Sequence, residues 1–329
     1  MSPIDEPAIP KGSIVLITGV NGFIASNVAD QFLKFGYRVR GASRDPAKHA
    51  WLSNLFDTKY GPGKFEFATV LNMDAAGAYN EAVKGVAAVI HTATNYSMNP
   101  NPYEVVPATI AGTLNALKAA ASEPSVKRPT PPCTVTTETW NDETVAFAYR
   151  DPPYEPERAY PVYAASKTLA EKEAWKFVRE TQPSFILNAV LPNINFGASL
   201  DSANQGHPST SGMVAELFRG NSSLLAGLPA QYFVDVQDDA LLHVAAAIHP
   251  GVASERVFAF AEPVNGDDIL AILRRLYPAR TFPANFQSEK DLSEIIPRKR
   301  AEELLRDMGK EDGWTSLEES VRRNTADLA

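Results

Sequence analysis

Residues 13–25 read SIVLITGVNGFIA, and they set the architecture expected for the rest of the chain. The first six are mostly apolar and β-branched, which is typical of a strand buried in a parallel sheet. A glycine-rich turn follows, and apolar residues then recur at helical spacing over residues 23–35 until Gly36 ends the helix. This order predicts the opening of a βα unit.

The same alternation continues along the chain. Strands are predicted at residues 37–41, 65–71 and 86–92, and helices at residues 78–84 and 105–121. Strands that alternate with helices through short loops predict an α/β fold with a doubly wound parallel sheet of the Rossmann type. Right-handed crossovers would place helices on both faces of that sheet.

The alternation breaks where a fifth strand should follow the long helix. Residues 126–137 read VKRPTPPCTVTT, and proline lacks the N–H donor that a central strand needs. Only residues 133–137 could pair as a strand, and they are few and polar. The sequence therefore predicts that the fifth strand is missing or degraded.

Beyond this break the composition changes. A helix is predicted at residues 160–178 and a strand at residues 185–191, after which Gly, Ser, Asn and Pro dominate as far as Pro208. Smaller elements follow: helices near residues 212–219, 239–248, 267–276, 299–308 and 316–324, and a strand at residues 256–260. We expect a dinucleotide-binding domain over residues 11–192, to which residues 233–250 return, and a smaller C-terminal substrate-binding region over residues 193–329.

Composition excludes several classes of function. The chain has 329 residues and a net charge of −8, which argues against a nucleic-acid partner. It has neither a signal-like N-terminus nor an apolar run long enough for a membrane span, so we expect a cytoplasmic protein with no membrane partner. Its single cysteine, Cys133, cannot form a multi-cysteine zinc site, and no metal site is predicted.

The turn at residues 19–25, GVNGFIA, predicts dinucleotide binding because it follows a strand and opens a helix. Gly19 allows a sharp turn, and Gly22 leaves room for a pyrophosphate at the helix N-terminus. Ala25, where a third glycine would stand, is still small enough to pack close to the strand.

The end of the second strand points to the identity of the cofactor. It reads GASR at residues 41–44, without the acidic residue that binds the ribose hydroxyls of NAD. Arg44 and Lys48 could instead pair with the 2′-phosphate of NADP(H), although Asp45 could partly neutralise Arg44. The alternative is that both cations are solvated surface residues.

Residues 163–167 read YAASK, a Tyr-x-x-x-Lys pattern on a predicted helix. A spacing of four places Tyr163 and Lys167 on one face, where the tyrosine could donate a proton to a carbonyl oxygen. The lysine and an oxidised, cationic nicotinamide would lower the tyrosine pKa from about 10. Tyr60 and Lys64 share the spacing, but Gly-Pro-Gly between them rules out a regular helix.

Taken together, these segments resemble the extended short-chain dehydrogenases/reductases, in particular fungal NADPH-dependent aldehyde (carbonyl) reductases and their dihydroflavonol reductase relatives. The resemblance covers nearly all of residues 13–128 and 140–329. It rests on TGVNGFIA (18–25), GASRDPAK (41–48), GTLNALKAA (112–120), VYAASKT (162–168), LNAVLPNINFG (187–197) and YPARTFPANF (277–286).

The resemblance implies NADPH-dependent reduction of aldehydes or ketones to alcohols by a monomer or homodimer. Tyr163 would be the proton donor, Lys167 its partner, and residues 193–233 the lining of the substrate pocket. The implied cofactor contacts are Gly19, Asn21, Gly22, Phe23, Ile24, Arg44, Lys48, Asn72, Thr92, Tyr163, Lys167 and Pro192. Asn72 stands where the family tends to carry an Asp near adenine, and His91 is best explained as a satisfied strand-end histidine.

The resemblance also implies a feature that the chain lacks. The family has an apolar strand ending in Thr-Ser-Ser, one serine of which binds the substrate carbonyl, whereas here Arg128 runs straight into Pro129. Three explanations are open. Thr134, Thr136 or above all Thr137 supplies the hydroxyl, or the protein binds NADP(H) but turns over poorly, or the coding sequence is mis-joined at this point.

Two other functions also remain open. A nucleotide-sugar epimerase or dehydratase would use the same fold, but it would need a pocket for a second nucleotide and, for a dehydratase, acidic residues beside the catalytic hydroxyl. A non-catalytic NADP-binding sensor or interaction protein would bind the cofactor without turnover.

Overall fold

The computed structural model describes residues 4–94, 97–123, 128–130, 137–226 and 231–329. Five strands form a parallel sheet: β1 (Ile14–Thr18), β2 (Arg38–Ser43), β3 (Phe65–Thr69), β4 (Val86–His91) and β5 (Arg128–Thr130). Their order in the sheet is β3-β2-β1-β4-β5. The predicted α/β fold with a Rossmann-like parallel sheet is confirmed.

Helices cover both faces of this sheet. They include α1 (Phe23–Lys34), α2 (Ala50–Tyr60), α3 (Pro102–Ser122) and α5 (Ala159–Thr181), while α4 (Asp142–Ala148) packs against α5. Alternate residues of β1 belong to two different cores: Val15 packs with Phe32 of α1, and Leu16 packs with Leu117 of α3. Because β1 is buried on both faces, its sequence is a continuous apolar run and does not alternate with polar residues.

Several local predictions need correction. The helix predicted at residues 78–84 is wrong, since Gly77 has a φ of 74° and the following backbone forms successive turns, among them one closed by Asn80 N–H and the Gly77 carbonyl. So short a segment cannot offset the cost of helix nucleation. The sequence also missed α2, whose buried residues are only Leu52 and Phe56.

The fifth strand is present but has only three residues. β5 pairs in parallel with β4, with Pro129 opposite Val89, so the expectation that proline would keep this segment out of the sheet is wrong. An edge strand tolerates proline, and β5 is the last strand in the described order of this sheet. Residues 131–136, which include Cys133, Thr134 and Thr136, lie outside the described part of the chain.

The C-terminal part contains two smaller sheets. One pairs β6 (Ala189–Pro192) with β9 (Arg256–Ala259), and the other contains β7 (Ile194–Phe196), β8 (Gln231–Asp235) and β10 (Glu262–Val264). The remaining helices are α6 (Ser202–Gln205), α7 (Ser211–Phe218), α8 (Val236–Ile248), α9 (Gly266–Leu276), α10 (Arg298–Asp307) and α11 (Leu317–Thr325). α8 packs against α1 in the same core as β1. No helix in the described ranges is long and apolar enough to cross a membrane.

Candidate cofactor and active site

A cavity of about 570 Å³ opens at the carboxyl ends of β1 to β4. This edge is where parallel α/β sheets bind their ligands. The cavity is lined by Gly19, Asn21, Gly22, Ala42, Ser43, Arg44, Val70, Leu71, Asn72, Met73, Asp74, Tyr79, Thr92, Ala93, Thr94 and Ser97. Six predicted cofactor contacts are among them: Gly19, Asn21, Gly22, Arg44, Asn72 and Thr92.

The glycine turn is shaped for an anion. Gly19 has a φ of 64°, and a Cβ there would lie 3.2 Å from the Ala93 Cα. Gly22 donates its N–H to the Gly19 carbonyl at 2.9 Å and is the N-cap of α1, which no side chain caps. The first N–H groups of the helix, at Phe23 and Ile24, therefore remain available to a phosphate, and these residues fit the pyrophosphate of a dinucleotide.

Arg44 lies on the cavity wall just beyond β2 and is exposed. Asp45, which could have neutralised it, is engaged elsewhere: its Oδ1 accepts the Lys48 N–H at 3.1 Å, and its own N–H donates to Ser43 Oγ at 3.2 Å. Among the described residues Arg44 forms no ion pair. Lys48 is exposed and lies outside the residues that line the cavity.

Asn72 is joined on the cavity wall by a carboxylate that the sequence analysis overlooked. The Asn72 Oδ1 accepts the Asp74 N–H at 3.0 Å, which commits one lone pair of the predicted adenine contact to the backbone. Asp74 Oδ1 is buried with no hydrogen-bond partner in the described structure, and burial raises the pKa of this carboxyl.

A buried polar network connects the ends of β1 and β4. Thr18 Oγ1 accepts the N–H groups of Thr92 at 3.1 Å and Ala93 at 3.0 Å, and it lies 3.0 Å from His91 Nδ1. Burial, and then the nearby charge of Lys167, lower the pKa of His91 to about 3. His91 is thus a neutral, hydrogen-bonded strand-end histidine, as the sequence predicted.

Helix α5 carries the predicted catalytic pair. Tyr163 and Lys167 are both partly buried, and the Lys167 Nζ lies 5.6 Å from the centroid of the Tyr163 ring. Ser166 Oγ donates to the Tyr163 carbonyl at 2.7 Å. By contrast, Tyr60 ends α2 and donates its hydroxyl to Asp30 Oδ1 at 2.8 Å, and burial raises its pKa.

Thr137 lies near a part of α5 that comes after the predicted catalytic pair, Tyr163 and Lys167. Its side chain is exposed, and its carbonyl accepts Arg256 Nη1 at 3.4 Å. Arg256 in turn binds the buried Glu171 of α5 through two bonds of 2.7 and 3.0 Å. Since Glu171 is two turns beyond Tyr163, this contact lies about 12 Å along α5 from the proposed proton donor. Pro192, the last predicted contact, ends β6 opposite Ala259.

Comparisons with known proteins agree with this architecture. The sequence profile of the NAD dependent epimerase/dehydratase family matches residues 15–258. Aldehyde reductase 2 of Sporidiobolus salmonicolor is 43% identical over 339 aligned positions, which cover 98% of each chain. A ketoreductase of Penicillium rubens is 37% identical over 344 positions, which cover 99% of each chain.

A solved structure supports the fold independently. The yeast methylglyoxal/isovaleraldehyde reductase, complexed with NADPH, superposes with a TM-score of 0.78 over 96% of this chain and 98% of its own. The two sequences are 21% identical, so this likeness supports the fold alone.

Proposed function

This chain belongs to the NAD dependent epimerase/dehydratase family of extended short-chain dehydrogenases/reductases, and from that premise we propose that it reduces aldehydes or ketones to alcohols with NADPH. The observation that carries the proposal is the pair of Tyr163 and Lys167 on one face of α5. The Lys167 charge contributes to the lowered pKa of His91, and His91 directly precedes Thr92, which lines the cavity. This proximity supports a single site that joins the α5 pair to the cofactor cavity.

The choice of NADPH rests on Arg44. Arg44 lines the cavity just beyond β2, where an acidic residue would favour NAD, and it forms no ion pair with a carboxylate among the described residues. A planar guanidinium can bind a 2′-phosphate through two charge-assisted hydrogen bonds. Lys48, which is exposed nearby, adds positive charge.

The chemistry that we assign to the protein is proton donation. A bound reduced nicotinamide cofactor supplies the hydride. Tyr163 donates its hydroxyl proton to the carbonyl oxygen of the substrate, and the Lys167 ammonium stabilises the tyrosinate that remains. His91 is neutral at physiological pH, so it adds no charge that would compete with Lys167.

We further propose that turnover is reduced by the loss of the carbonyl-binding serine. Thr137 stays a candidate for its replacement, but its exposed side chain and its carbonyl contact with Arg256 make it the less favoured explanation. Removing one hydrogen bond to a developing oxyanion typically costs a factor of about 10²–10³ in rate.

The test is NADPH oxidation, followed by absorbance, with a panel of aldehydes and β-keto esters. We expect turnover that Tyr163→Phe abolishes and that Tyr160→Phe preserves, because Tyr160 lies on the same helix and is largely exposed. Equal activity in wild type and Tyr163→Phe would contradict the proposed chemistry.

A second candidate is a non-catalytic NADP-binding protein, which the absence of the serine segment favours. It predicts that the folded wild-type protein binds NADPH and oxidises it with no member of the panel. Reading the transcript across codons 128–140 separates a true deletion from a mis-joined coding sequence, since an uninterrupted match excludes the latter.

A further inference from the structure

A side chain from the C-terminal part of the protein reaches the glycine turn. Gln205, at the end of α6, donates from Nε2 to the Asn21 carbonyl at 3.2 Å and to Ser26 Oγ at 3.0 Å. Asn21 lies in the glycine turn, and Ser26 is fully buried in the first part of α1. The two partners of Gln205 thus flank the helix N-terminus that is available to a phosphate.

The oxygen of the same Gln205 carboxamide binds the backbone of the loop that precedes α6. Gln205 Oε1 accepts the N–H groups of Leu200 at 3.1 Å and Asp201 at 3.3 Å. Asp201 Oδ1 in turn caps α6 by accepting the Asn204 N–H at 3.1 Å. Both N–H donors and both acceptor positions of Gln205 are therefore used, so the orientation of the amide is set by its partners.

The contact with Asn21 acts on one particular peptide group. Asn21 contributes its carbonyl and Gly22 its N–H to this peptide, and the two point in opposite directions because the peptide is planar and trans. Gln205 holds the carbonyl, while the Gly19 carbonyl accepts the Gly22 N–H at 2.9 Å. The peptide is held at both ends, and its carbonyl is directed towards Gln205, which does not line the cavity.

We propose that Gln205 is a positioning residue for the cofactor. By holding the Asn21 carbonyl it keeps a negative dipole end away from the pyrophosphate, and it couples cofactor affinity to the order of the loop at residues 199–206. This inference rests on the proposed NADPH binding. Gln205 itself is uncharged, so its contacts with Asn21 and Ser26 are hydrogen bonds without an ion pair.

Two substitutions of Gln205 test the idea. Gln205→Glu keeps the acceptor for Leu200 and Asp201 but places an oxygen against the Asn21 carbonyl, and Gln205→Met keeps the length without any hydrogen bond. Ala203→Glu is the matched control, because it adds the same charge to an exposed position of α6. The measured quantity is the NADPH dissociation constant, from the change in nicotinamide fluorescence on binding.

We expect Gln205→Glu to raise the NADPH dissociation constant about tenfold or more, and Ala203→Glu to change it less than twofold. The NADP⁺ dissociation constant at pH 8 and pH 5.5 adds a signature that a merely structural role would not produce, and isothermal titration calorimetry measures it because oxidised nicotinamide does not fluoresce. Once protonated, the carboxyl group that Gln205→Glu introduces can donate to the Asn21 carbonyl again. The ratio of variant to wild-type dissociation constants should therefore fall at the lower pH.

These binding measurements distinguish a failure of the Gln205 proposal from a failure of the proposed reductase function. If the wild type binds no NADPH, the proposed function fails, and this inference fails with it. If the wild type binds NADPH and both Gln205 variants bind it equally well, Gln205 does not position the turn, while the reductase proposal stands. Should Gln205→Glu fail to fold, the uncharged Gln205→Met decides the question by the same measurement.

Discussion

His91 at the end of β4 and Lys167 on α5 interact electrostatically: burial, and then the lysine ammonium, lower the pKa of His91 to about 3. The His91 imidazole of the folded protein is therefore neutral near pH 7. Its Nδ1 lies 3.0 Å from the Thr18 hydroxyl, which gives it a structural role at the edge of the cavity. Tyr163 remains the residue of α5 that we propose as the proton donor.

This relationship predicts a dependence of stability on pH. An unfolded histidine titrates near pH 6.5, so between about pH 6.5 and pH 3 the unfolded chain binds a proton at His91 that the folded protein does not. The stabilisation is present above about pH 6.5 and is lost as the pH falls towards 3, by up to about 1.4 kcal/mol per pH unit.

Denaturant unfolding at pH 7.5 and pH 5.0 measures this pH-dependent part of the free energy of unfolding. The loss of unfolding free energy at pH 5.0 should be smaller in His91→Gln than in wild type, because the variant has no buried imidazole to titrate. Identical pH dependence in wild type and His91→Gln would show that folding does not lower the pKa of His91.

Arg44 predicts cofactor preference. Arg44→Ala should weaken NADPH binding by a factor of about 10–100, the usual worth of a charge-assisted pair of hydrogen bonds, and should leave NADH binding nearly unchanged. Lys48→Ala is the natural comparison, and we expect a smaller loss because Lys48 does not line the cavity. If Arg44→Ala weakened NADPH and NADH binding by the same factor, Arg44 would not be the residue that binds the 2′-phosphate.

Thr137 is tested by its removal. Because its side chain is exposed and its carbonyl contacts Arg256, we expect Thr137→Val to retain turnover within about twofold of wild type. A fall in kcat by a factor of about 10²–10³ would instead identify Thr137 as the hydroxyl that replaces the serine. Steady-state rates with the best carbonyl substrate separate the two results.

The buried ion pair behind α5 predicts a large loss of stability. Arg256 binds Glu171 at 2.7 Å, stacks on the Trp140 ring at 4.1 Å and donates to the Thr139 carbonyl at 3.1 Å. Arg256→Ala leaves Glu171 buried without its cation, so we expect the free energy of unfolding to fall by about 3–5 kcal/mol.

The surface pair between Arg300 and Glu255 provides the control, since its side chains are more exposed and Arg300→Ala should cost no more than about 1 kcal/mol. Chemical denaturation of the two variants measures both values. Equal, small losses would show that the Arg256 cluster does not hold the segment after residue 136 against α5.

Much of the site was readable from the sequence because its signals are local. Gly19 and Gly22 act within one turn, and Tyr163 and Lys167 share a helix face through a spacing of four. Asp74 was missed because what sets it apart is the burial of its carboxylate oxygen, and the spacing of residues in a sequence does not show burial. The three-residue β5 fits the predicted degraded fifth strand, but its place at Arg128–Thr130 was not predicted. Whether a strand tolerates proline depends on its position in the sheet, which neighbouring strands decide.

By itself the sequence determined the alternation of strands and helices, the glycine turn and the pair on α5, since each follows from covalent spacing and side-chain chemistry. Only the tertiary structure decided which distant residues meet. Arg256 finds Glu171 across 85 residues, and Gln205 finds Asn21 across 184. Such contacts form because a folded core brings remote parts of the backbone together and strongly favours a partner for each buried polar group, a condition that no local pattern encodes.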